Sequence, residues 1–101
     1  MMNEEPFGPV AMIAPFKDFD SAVSEANRLP YGLAAYAFTK SAKTAAAIGS
    51  AIESGMVAIN NAALALPEVP FGGVKDSGHG RDRSLHALDG YTHLKTTWVA
   101  L

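Results

Sequence analysis

Cysteine is absent from all 101 residues, which excludes disulfides, thiolate metal sites and a thiol nucleophile within this chain. Charge of one sign is also missing as a feature. Eight basic and ten acidic residues, net -2, are spread without a block of either, so no electrostatic footprint points to nucleic acid or to an anionic membrane surface. No apolar run approaches the roughly 18 residues of a membrane span. The opening MMNEEP is acidic and lacks the apolar core of a signal peptide. Internal repeats, low-complexity tracts and domain linkers are absent too. What remains is one globular domain with a hydrophobic fraction of 49%, enough for a modest core. The expectation is a soluble, cytoplasmic protein with no nucleic-acid partner and no membrane partner.

The order of elements suggests an α/β fold. Val10 to Ala14 is a continuous apolar run closed by Pro15 and reads as a strand buried on both faces. Asp18 suits an N-cap, Asp20 falls in the first turn, and Ala22, Val23, Ala26 and Leu29 lie on one helical face before Pro30 ends it. Leu33 to Phe38 reads as a second strand. Ser41 to Ile52 reads as a second helix, with Ala45, Ile48 and Ile52 on one side and Gly55 where a left-handed cap is wanted. Met56 to Asn60 is a third strand. This βαβαβ order implies a parallel sheet. From Asn61 to Arg83 prolines and glycines punctuate a long loop, of a length usually kept for function. Ser84 to Leu88 reads as a short helix stopped by Gly90. Tyr91 to Leu101, with Thr92, Thr96, Thr97, Trp98 and Val99, favours a final strand.

Motifs that carry chemistry by spacing alone are scarce. "FGGVKDSGHGR" is rich in glycine but lacks the GK[ST] of a P-loop and the third glycine of a dinucleotide fingerprint. No glycine turn follows the first strand either, so this unit is not itself a Rossmann cofactor domain. His79, His86 and His93 recur every seven residues, but Gly80 and Gly90 interrupt any common helix, and no carboxylate stands at a metal-ligand offset. These histidines read as surface residues, with no metal site. Lys75, Asp76, Ser77 and His79 offer no nucleophile and base pair. Glu4 and Glu5 read first as a solvated acidic pair, and Phe7 as a core residue.

Five segments together carry more than any one of them: "EEPFGPV", "PYGLAAYAFTK", "SGMVAINN", "PFGGVKDSGHGR" and "YTHLKTTWVAL". In this order they closely resemble the C-terminal part of the NAD(P)-dependent aldehyde dehydrogenase superfamily, from Glu4 to the end. The resemblance implies that residues 1–91 form a portion of the catalytic domain, and residues 92–101 an oligomerisation strand that pairs with a neighbouring subunit. It implies the family chemistry for the complete protein. A cysteine thiolate attacks the aldehyde, hydride passes to the nicotinamide, and a glutamate-activated water releases the acid. With no cysteine, this chain alone is expected to be inactive, to contribute no catalytic residue and to hold no cofactor tightly. NAD or NADP would serve the complete enzyme.

By the same resemblance Glu5 binds the hydroxyls of the nicotinamide ribose and Phe7 packs beside it, since a carboxylate can accept from both hydroxyls while an apolar wall fixes the ring. Phe71 matches the aromatic of the aldehyde pocket. Residues 61 to 70 would line the substrate entrance, with Ala65 and Leu66 where relatives vary with substrate. The glycines 72, 73, 78 and 80 would be structural. His93 stands where many relatives have an acid, so no charge interaction is carried over there. "INNAALALPEVPFGGVKDSG" looks nearest to the succinate-semialdehyde dehydrogenase group, although Ala65 and Leu66 offer no partner for a substrate carboxylate. A homo-oligomer through the last strand and an aldehyde substrate are the implied partners. A non-catalytic interaction module built from the same piece of fold is the alternative.

Overall fold

A computed structural model describes residues 3–101. Its helices form where local chemistry specifies them. Helix α1, Phe19–Ala26, starts at Asp18, whose carboxylate accepts the Ser21 N–H at 2.8 Å while the Ser21 hydroxyl accepts the Asp18 N–H at 3.3 Å. This reciprocal capping box satisfies two otherwise orphaned donors. The same Ser21 N–H, seconded by the Ser21 hydroxyl, holds the Asp18 carboxyl below its ordinary range. Helix α2, Ala42–Ala51, begins at Ser41, whose hydroxyl accepts the Thr44 N–H. Asn27 joins the two helix ends: its amide donates to the Ala51 carbonyl at 2.8 Å and accepts the Glu53 N–H at 2.9 Å.

Strands β1 (Tyr31–Gly32) and β2 (Ala34–Ala37) follow α1, and β3 (Met56–Ile59) and β4 (Val74–Lys75) follow α2. β2 and β3 run parallel, with Ala34 opposite Met56 and Ala37 opposite Ile59, so β2, α2 and β3 make one βαβ unit. Asn60 closes that pair. It sits at φ 57°, and its side chain both accepts the Thr39 N–H and donates to the Thr39 carbonyl at 2.8 Å. β1 pairs antiparallel with β4, Tyr31 opposite Lys75. A 3-10 helix, Leu85–Tyr91, follows.

Four expectations need correction. Val10 to Ala14 has no regular secondary structure and no ladder partner among the described residues, and Ile13 is 95% exposed. Tyr91 to Leu101 likewise forms no strand there, and Trp98 is 90% exposed. An apolar run signals burial, but a strand exists only where a second strand supplies its hydrogen bonds. Among the described residues the parallel sheet is therefore two strands, not three. Third, Gly55 is no left-handed cap, because α2 ends at Ile52 in extended backbone. Glycine is needed at 55 because a Cβ there would strike the carbonyl oxygen of Gly72. Fourth, the stretch from Asn61 to Arg83 is not all loop: β4 and an antiparallel bridge between Phe71 and Asp82 order its second half, and Gly90 lies inside the 3-10 helix.

Burial is sparse. Among the described residues only Met56 and Ala58 of β3 form the buried apolar core, and one face of the β2–β3 pair opens into a cleft of about 580 Å³ between α1 and α2, walled by Phe19, Val23, Tyr36 and Ile48. No helix among the described residues is long and apolar enough to cross a membrane.

Candidate functional site

The segment from Asn60 to Ser84 is fastened to the fold at three places. Asn60 ends the β2–β3 pair, and the Asn61 side chain accepts the Ala63 N–H, which turns the chain away from the sheet. At the far end β4 locks onto β1, and the Ser77 hydroxyl accepts the Gly32 N–H at 3.0 Å. Lys75, half-buried at φ 56°, donates to the carbonyls of Asn27 and Leu29 beyond α1 and pairs with Glu53 at 2.5 Å. Between these anchors Gly72 and Gly73 run buried beside Gly55, where side chains would collide with backbone.

Phe71 stands just before this glycine pair. Its backbone exchanges two hydrogen bonds with Asp82, at 2.8 and 2.7 Å, so the aromatic position is fixed by a bridge. The ring is half-buried and borders a cleft of about 500 Å³ shared with Leu33, Ser77, Arg81 and Tyr91. Arg81 donates to the Gly73 carbonyl at 2.6 Å and to its neighbour Gly80, holding the two sides of the glycine loop together. Arg83 places its guanidinium carbon 5.6 Å from the Phe71 ring centroid, a cation–π contact, and donates through Nη1 to the Ala65 carbonyl. The Ser84 N–H donates to the Pro67 carbonyl at 3.0 Å.

Of the residues expected at a substrate pocket, Ala65 and Phe71 are thus brought together through Arg83. Leu66, 51% exposed, faces a separate depression of about 420 Å³ with Asn61, Leu64, Val69 and Pro70. Glu5 and Phe7 lie elsewhere, in a shallow hollow of about 220 Å³ lined by residues 4 to 10 alone. Phe7 is 93% exposed, and the Glu5 carboxylate has no hydrogen bond or ion pair among the described residues. An unpaired carboxylate beside an exposed ring can accept from a vicinal diol and present an apolar face to a planar ring.

No group of three or more His, Asp or Glu side chains among the described residues could hold a metal. The histidines remain surface residues. His86 lies 3.6 Å from Asp89, both well exposed, in a cleft with His79. Arg83 was invisible to sequence reasoning: its contacts depend on a backbone turn, with φ 61° at Arg83 and 51° at Ser84, which no local motif announces.

The aldehyde dehydrogenase family pattern matches residues 1–97. Over 95 residues the chain is 46% identical to a 4-(hydroxymethyl)benzenesulfonate dehydrogenase of Comamonas testosteroni, covering 94% of this chain and 20% of that protein. It is 44% identical over 97 residues to the NADP(+) succinate-semialdehyde dehydrogenase of Saccharomyces cerevisiae, covering 96% of this chain and 20% of the yeast protein. Among solved structures, the NAD+ complex of an aldehyde dehydrogenase from Bacillus cereus superposes with a TM-score of 0.90 at 41% identity, covering 96% of this chain and 20% of the other. The chain spans about one fifth of the length of the curated relatives it matches.

Proposed function

The chain belongs to the aldehyde dehydrogenase family, and from that premise we propose that it forms the C-terminal part of an NAD(P)-dependent enzyme oxidising an aldehyde to its carboxylic acid. The observation that carries this reading is 46% identity over 94% of the chain with one fifth of a longer dehydrogenase. NAD(P)+, when bound, supplies the hydride acceptor. Glu5 accepts hydrogen bonds from the nicotinamide ribose hydroxyls, and Phe7 gives the ring an apolar wall. Phe71 borders the aldehyde, while Ala65 and Leu66 shape the way in. This chain holds no thiol, so the nucleophile comes from elsewhere in the complete enzyme. The chain alone neither turns over nor holds the cofactor tightly.

Succinate semialdehyde is the substrate we favour, supported by the likeness to succinate-semialdehyde dehydrogenases such as that of yeast. The reading carries with it a cytoplasmic enzyme, assembled as a homo-oligomer through a strand in residues 92–101. The test is aldehyde-dependent NAD(P)H formation by the purified chain and by the complete enzyme. Turnover by the complete enzyme alone supports the proposal; robust turnover by the chain alone sinks it. In the complete enzyme, Glu5→Gln raises KM for NAD(P)+ about tenfold, as loss of a charged hydrogen bond predicts.

A second reading has one observation in its favour. The tail exposes Leu94, Trp98, Val99 and Leu101 together, as a non-catalytic interaction module would. A partner captured in cells by the chain itself, and lost on replacing those residues, would favour it over the enzyme.

A further inference from the structure

We propose that Arg83 is a positioning residue that sets the substrate entrance by holding the Ala65 carbonyl and the Phe71 ring in one arrangement. Its guanidinium meets both at once, the carbonyl through Nη1 and the ring face at 5.6 Å. Three features make this more than a surface contact. Phe71 is already fixed by its two hydrogen bonds to Asp82, the residue before Arg83, so the cation and the ring share one rigid bridge. The next residue, Ser84, donates to Pro67, so two consecutive residues grip the segment 65–67. Both grips depend on left-handed backbone at Arg83 and Ser84, a conformation that persists only where its surroundings over-determine it.

A planar guanidinium is suited to this double duty. It can donate in its own plane to a carbonyl while offering its face to an aromatic ring, which a lysine ammonium cannot reproduce. Among the described residues the loop between Asn61 and Pro70 has no other side-chain hydrogen bond from the segment after Phe71. Release of Arg83 therefore frees the loop on the side that faces Phe71.

The role rests on the reading of Ala65 and Phe71 as substrate-facing, so two measurements separate the two ideas. In the complete enzyme, nuclear magnetic resonance with labelled arginine should show the Arg83 side-chain protons shifted upfield by the Phe71 ring, with the shift gone in Phe71→Leu. Unshifted protons would overturn the contact whatever the enzyme does. In the complete enzyme, Arg83→Met should raise KM for aldehydes about tenfold, as expected for loss of such contacts, with kcat and KM for NAD(P)+ within about twofold. Arg83→Lys should fall between. A general loss of folded enzyme would lower kcat and leave KM alone. Unchanged aldehyde KM overturns the positioning role, as does a rise confined to aldehydes bearing an acid group, which would make Arg83 a direct ligand. If the unaltered complete enzyme oxidises no aldehyde, the substrate reading and the role built on it fall together, while the upfield shift still decides whether the contact exists.

Discussion

Ser84 holds a strained backbone: φ 51° with ψ -175° lies where glycine is at ease and other residues are not. Ser84→Gly should therefore stabilise the chain. Relief of about 1–3 kcal/mol exceeds the roughly 0.5–1 kcal/mol entropy cost of glycine and the few tenths lost with the hydroxyl that accepts the His86 N–H. A net gain of about 1 kcal/mol would appear as a higher urea midpoint by circular dichroism; a lower midpoint contradicts the strain. Asp18 gives a pH signature. Its carboxyl is held below its ordinary value of 3.8 by the Ser21 N–H, so the cap is fully present above that value and is lost as pH falls through the lower, folded one. Helix content should drop in that acid window, and Asp18→Asn should remove the dependence. Glu5, Phe7 and Phe71 gained their roles from resemblance to a family, because nothing in an acid pair or an aromatic says which ligand it meets. Arg83 gave no signal, since its reach to Ala65 and Phe71 follows from the turn at 83 and 84.

Among the elements, both helices were legible because their instructions are local. Asp18 and Ser41 cap, Ala22, Val23, Ala45 and Ile48 mark the inner faces, and the observed spans Phe19–Ala26 and Ala42–Ala51 follow. Ser41→Ala should cost about 1 kcal/mol of stability, the usual worth of such a cap, read from the shift in urea midpoint. The middle strands were legible too. Val10 to Ala14 was misjudged because strand formation is a property of pairs; the tail has no strand partner within this chain, and the proposed account gives it one on a neighbouring subunit. The two-residue strands β1 and β4 escaped notice for a similar reason: their pairing joins Tyr31 to Lys75 across the whole βαβ unit. What permits that closure is glycine. At Gly55 a methyl group would meet the Gly72 carbonyl, so Gly55→Ala should destabilise by about 1–3 kcal/mol, as overpacking does. It should also loosen the Phe71 bridge, visible as faster amide exchange at Phe71 and Asp82. Unchanged exchange there would show that the glycine contact does not hold the site.

At the scale of the whole molecule, size and surface disagree with those of a self-contained domain. The accessible surface is 8435 Å², where a folded monomer of this mass has roughly 5,500 Å². The radius of gyration is 18.0 Å, against about 13 Å for a compact chain of such length. Phe7, Ile13, Phe16, Phe38, Leu94 and Trp98 are among the large apolar side chains left exposed. Such a surface should drive association of the purified chain, so sedimentation velocity should reveal species that grow with concentration; a dispersed monomer at all concentrations contradicts this. In the proposed account the apolar surface is covered by the remainder of an aldehyde dehydrogenase. The most direct test is an immunoblot of source cells with an antibody raised against residues 61 to 90. The account predicts a band several-fold larger than 10.6 kDa. A band at 10.6 kDa alone would contradict it and would direct the search from substrates to binding partners.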